Sequence, residues 1–171
     1  FYTLEEITGS FREIAKIWED GLQKMETILK ERGGEKELHR QQAVAKAVQI
    51  QCLTTANVYE FYALRDQLQG AEPSAQSDIM SRMEHVARND LQLAKTMLEL
   101  LAIDPTIGFQ SEIYAFSYSR PLIAEKILQT EDMLSTLTRW QRDGLDATVF
   151  EPTKVEAALL PQESGPDQWG D

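Results

Sequence analysis

The chain has 171 residues, of which 42% are hydrophobic and 26% charged, and a formal net charge of −11 at pH 7. That length suits one domain, the balance is that of an ordinary globular protein, and so acidic a chain is a poor partner for nucleic acid. One cysteine, Cys52, excludes an intramolecular disulfide framework, two histidines give little material for a zinc site, and no run of about 18 apolar residues is present to span a membrane.

Phe1 rather than Met opens the sequence, so a processed chain or a piece of a larger protein is expected, and no targeting segment is readable. The first helical stretch is predicted from about Ser10 to Arg32. Phe11, Ala15, Trp18, Leu22, Met25 and Leu29 recur every three or four residues and define one face, with Trp18 and Leu22 expected in the core. Gly21 weakens this stretch slightly and Gly33-Gly34 ends it. Upstream, Thr3-Leu4-Glu5-Glu6 has the form of a capping box, which predicts a short helical turn.

The second stretch runs from about Glu35 to Gln69 without Gly or Pro. Ala45, Val48, Cys52, Thr55, Tyr59 and Tyr62 mark its face, widened by Leu53, Ala56, Leu64 and Leu68. Gly70 ends it, and Ala71-Glu72-Pro73-Ser74 is expected as a turn. The third stretch, about Ser77 to Ala102, carries Met80, Met83, Ala87, Ala94, Met97 and Leu101 on one face. Asp90 falls on that same face. A fourth stretch begins at Ser119-Arg120-Pro121, where a serine cap precedes an early proline. Ile123, Ile127, Leu134 and Leu137 form its face, and it ends near Asp143-Gly144.

The fold expected is all-α, an up-and-down bundle of four to five long antiparallel helices over residues 1–145. Residues 146–171 are expected as an acidic, Pro-containing extension or linker. Between the third and fourth helices, Asp104–Ser119 is long for a bundle connection, and such connections often carry function. Its segment Ile113–Tyr118 is aromatic and β-prone, yet too short and isolated for a sheet. Ile107 and Phe109 are expected to turn into the bundle at a tight Gly108 turn.

No chemistry-bearing motif is complete. His39 and His85 lack the Glu-x-x-His spacing of di-iron bundles and are read as surface residues. There is no Gly-x-Ser-x-Gly, no phosphate-binding glycine loop, and Cys52 sits on an apolar stripe as a small hydrophobe. Glu60, Asp66, Asp90, Glu99, Asp104 and Glu112 are the carboxylates that could do acid–base work if two of them shared a cleft. A buried Asp90 requires a partner from another helix, with Arg65 and Arg120 as candidates. Tyr114, Phe116 and Tyr118 alternate along an extended segment, so one side could stack on a sugar while the rings otherwise plug the bundle end. No metal and no cofactor is expected.

The segment Asp104–Ile127 resembles a pattern of Asp, an Ile-Gly-aromatic triplet, a short aromatic stretch, Tyr and Pro, and an apolar residue followed by Lys-Ile. That pattern occurs in the helical domain following the catalytic (β/α)-barrel of large glycoside-hydrolase-like proteins. Asp104, Ile107, Gly108, Phe109, Ile123, Lys126 and Ile127 fit it, and Asn57–Asp66 looks like that domain's long helix. Gln110 replaces the pattern's acid, Thr106 stands where Arg is common, and Tyr118 and Pro121 are one residue further apart than the pattern asks. The resemblance implies a non-catalytic helical domain that packs on the catalytic barrel of the parent chain and shapes its cleft. Glu112, Tyr114, Phe116 and Tyr118 would then be the interface or sugar contacts. The alternative is a stand-alone helical interaction or scaffolding module, and a bundle enzyme with its own carboxylate pair is a third class.

Overall fold

A computed structural model describes residues 2–32, 35–110, 115–116 and 118–146. Four helices follow in order: α1 (Leu4–Arg32), α2 (Lys36–Gln69), α3 (Pro73–Ile103) and α4 (Arg120–Asp143). α1 packs on α2, α2 on α3 and α3 on α4, which makes an all-α up-and-down bundle. Residues 147–171, most of the expected extension, lie outside the described residues, as do Gly33 and Gly34.

Two helices begin earlier than the periodicity indicates. The capping box at Thr3 opens α1 itself. The backbone N–H of Glu6 donates to Thr3 Oγ1 at 3.2 Å, and that of Thr3 donates to Glu6 Oε2 at 2.8 Å. Helix α3 starts at Pro73, because a proline at the first helical position gives up no needed hydrogen bond. α4 starts as expected, with Ser119 Oγ accepting from the backbone N–H of Leu122 at 3.4 Å.

The core lies between α2, α3 and α4. At one end Ala43, Ala47 and Ile50 meet Ala94, Met97, Leu100, Leu101, Ile107 and Ile123. At the other, Leu64 and Leu68 meet Ile79, Met80, Met83, Val86, Leu137 and Trp140. Neither cluster holds a residue of α1. Helix α2 is central and has two buried sides, one toward that core. The other carries Ala45, Gln49, Cys52 and Ala56, and Gln49 on it reaches α1. This is why a single stripe through Val48, Thr55 and Tyr62 does not describe α2, whose Tyr62 is exposed.

Among the described residues helix α1 packs on one helix, α2, and buries a narrow stripe: Thr8, Ala15, Leu22 and Leu29, spaced by seven. Leu22 is buried as expected, but Trp18 is not, at 37% exposed. One packing partner covers one flank of an apolar face, and Trp18 stands at the edge of the covered part. The α1–α2 contact also has a polar seam. Gln49 is buried and donates to the Ala15 carbonyl at 3.3 Å and to Glu19, while Lys46 donates to Gln49 Oε1 at 2.6 Å. Arg12 pairs with Glu60 further along.

Candidate functional site

The α3–α4 connection is built on a well-tied corner. Asp104 ends α3, with its N–H donating to the Leu100 carbonyl at 3.0 Å. A carboxylate at the negative end of a helix is unfavourable unless other groups satisfy it. Here Oδ1 accepts from the Thr106 N–H at 2.9 Å and from its hydroxyl at 2.7 Å, and Oδ2 accepts from Arg40 of α2 at 3.1 Å. The Thr106 hydrogen bonds, assisted by Arg40, hold the Asp104 carboxyl below the usual carboxylate range. Thr106, a departure from the glycoside-hydrolase-like pattern, is therefore half of a turn that Asp104 closes.

Ile107 then enters the core and Gly108 adopts φ +84°, the left-handed region that favours glycine. The expected tight turn at Gly108 and the inward Ile107 are thus both present. Strands β1 (Phe109–Gln110) and β2 (Ala115–Phe116) pair antiparallel, with Phe109 opposite Phe116 and Gln110 opposite Ala115. Tyr118 is half-buried against the core cluster. Burial pushes its phenol above the ordinary value. Glu112 and Tyr114 lie outside the described residues, as do the side chains of Phe109 and Phe116.

Asp90 is buried on α3 as its position on the apolar face requires, and its partner does come from another helix. That partner is Lys126 of α4, with Nζ 2.8 Å from Oδ2, and not Arg65 or Arg120. Arg65 instead pairs with Asp66 and lies over the Tyr62 ring, 4.7 Å from its centroid. Oδ1 of Asp90 is buried and accepts no hydrogen bond among the described residues. The pair sits in a groove of about 200 Å³ walled by Val58, Phe61, Tyr62, Val86 and Met133. On the same groove Asn57, itself buried, donates to Asn89 at 2.8 Å. Such a groove can accept an apolar group, with the Lys126 ammonium among its walls as a donor.

The remaining described carboxylate candidates serve their own cations. Glu60 is taken by Arg12, Asp66 by Arg65 and Asp104 by Arg40, while Glu99 is exposed. His39 and His85 are both exposed. Among the described residues no group of His, Cys, Asp or Glu could hold a metal ion, and no helix is long and apolar enough to cross a membrane. Cys52 is buried in the α1-facing side of α2, and burial raises its thiol above the ordinary value.

The sequence pattern had no signal for Gln49, a polar residue between two helices. Lys126 was visible only through the resemblance, and the structure gives it the ion pair with Asp90. No protein-family model, no curated protein and no solved structure matches the chain.

Proposed function

We propose that the chain is a non-catalytic helical domain of a large carbohydrate-processing protein of the glycoside-hydrolase type. The α3–α4 corner packs on the catalytic barrel and steadies one wall of its cleft. The observation that supports this reading is the use made of the pattern residues. Asp104 closes the end of α3, Ile107 and Ile123 enter the core, Gly108 makes the left-handed turn, and Lys126 pairs with Asp90. The similar segment is therefore a device for fixing a bundle corner, which is what a domain packing against a larger neighbour needs. Glu112, Tyr114, Phe116 and Tyr118 are the interface or sugar contacts of this reading.

The coding sequence on either side of these residues provides a first test, because the reading requires a (β/α)-barrel before the bundle. The second is amide hydrogen exchange on the chain mixed with that barrel as a separate polypeptide. Slower exchange over residues 104–122 is expected. Unchanged exchange there, or the lack of a barrel, rejects the reading.

A stand-alone interaction module is the second reading, and the exposed apolar face of α1 favours it. Leu4, Ile14, Ile17, Trp18 and Ile28 all stand at least partly in solvent on that one helix.

A further inference from the structure

We propose that α1 pairs antiparallel with α1 of a second copy of this chain, through a heptad seam that lies beside its contact with α2. The inference concerns a different element from the α3–α4 corner and holds whether or not that corner meets a barrel.

The seam is written in the sequence of α1. Leu4, Ile7, Phe11, Ile14, Trp18, Gly21, Met25 and Ile28 step alternately by three and four. This is the 3.5-residue repeat of a coiled-coil seam, sustained over the length of the helix. The stripe that α2 covers, Thr8, Ala15, Leu22 and Leu29, lies one position to the side. Burial along the seam is partial: Ile7, Phe11, Gly21 and Met25 are half-buried, whereas Leu4, Ile14, Trp18 and Ile28 are 36%, 42%, 37% and 41% exposed. Ile17, just outside the seam, is 70% exposed.

The bare area suits a dimer. With full side-chain areas of roughly 150–250 Å², Leu4, Ile14, Ile17, Trp18 and Ile28 leave on the order of 500 Å² uncovered, as large as the largest patch of a typical monomer. Two such faces make about 1,000 Å², the size of a weak, reversible interface.

The register follows from side-chain size. Antiparallel pairing about a two-fold axis sets Leu4 against Ile28, Ile7 against Met25, Phe11 against Gly21 and Ile14 against Trp18, each pair formed twice. The Phe11 ring then enters the space over Gly21, where a Cβ would meet nothing within 4 Å in the single chain. A parallel pairing would set Trp18 on Trp18 and leave Gly21 facing Gly21 across a void. In the antiparallel register Ile17 of one copy meets Ile17 of the other on the axis.

Charge agrees with the same register. Lys24 would lie opposite Ser10 of the other copy, between Glu6 and Glu13. Among the described residues neither Lys24 nor Glu13 forms an ion pair within its own chain. Two Lys24–Glu6/Glu13 clusters would flank the seam symmetrically and offset part of the repulsion between two acidic chains.

The experiment is sedimentation equilibrium on the 171-residue chain and its variants. At about 100 µM, where a micromolar Kd keeps most chains paired, a mass near twice 19.5 kDa is expected. Ile17→Lys should weaken association about 100-fold or more, since it sets two ammonium groups on the axis, and should leave the circular-dichroism helix signal unchanged. Orientation is read by mild oxidation. Ile17→Cys should cross-link to itself, and Ser10→Cys should cross-link to Lys24→Cys but not to itself. The wild type serves as the control, because its Cys52 is buried. A monomer at this concentration overturns the proposal, as does a dimer that Ile17→Lys leaves intact. Self-cross-linking of Ser10→Cys in preference to Ile17→Cys overturns the antiparallel register.

Discussion

Tyr118 occupies the space that a side chain on Gly108 would need. A Cβ built at Gly108 would lie 2.7 Å from Tyr118 Cβ and 2.9 Å from its backbone nitrogen. The turn that ends α3 and the segment that starts α4 are thus fitted to each other at one glycine. Gly108→Ala should destabilise the chain by more than the roughly 1–2 kcal/mol that left-handed backbone costs an ordinary residue, because the methyl also meets backbone. Urea melts measure it, and a loss below about 0.5 kcal/mol would show that the corner yields.

The Asp90–Lys126 pair should be costly to break and cheap to replace. Lys126→Met leaves a buried carboxylate alone, and the loss should approach the lower end of the ~3–5 kcal/mol seen for buried pairs, since Lys126 is partly open to solvent. Combining it with Asp90→Leu should recover most of that loss, because the walls of the groove are apolar. A double variant as unstable as the single one would mean that the pair carries net stability of its own.

Helix α1 should respond unevenly along its apolar face. Leu22→Ala removes a buried side chain and should cost about 2–5 kcal/mol. Trp18→Ala should cost clearly less in dilute, monomeric samples, because the indole is 37% exposed. Equal losses in urea melts at low protein concentration would contradict the burial.

Acid should loosen the corner at Asp104. Its folded pKa lies below the unfolded value, so its contribution is complete above about pH 3.9 and fades as pH falls through the folded value. Asp104→Asn keeps an acceptor for Thr106 but has no charge for Arg40. Melts of the two proteins between pH 7 and pH 2 should therefore converge as the solution becomes acid. A stability gap that stays constant over that range would remove Asp104 from the acid response.

The four helices were legible because Gly and Pro punctuate a sustained three–four spacing, and the buried residues of α3 fall where that spacing sets them. Less could be read where tertiary context decides. The spacing of α1 shows which way its apolar residues point, but how much of that face is covered depends on the number of neighbours, so Trp18 was expected inside. Burial of Asp90 follows from its stripe. Its partner follows from the relative height of α3 and α4, which helical spacing does not record, and Lys126 rather than an arginine meets it. Of the candidate contact residues only Tyr118 has a described side chain, and it packs on the bundle.

The absence of α1 residues from both core clusters has a kinetic side. Contacts between consecutive helices are local in the chain, and such topologies form quickly. The α2–α3–α4 unit can hold together while α1 detaches from α2, so amide protons of α1 should exchange by a lower-energy opening than those near Leu64 or Leu137. A protease arriving during that opening would find the first thirty residues and leave the remainder folded.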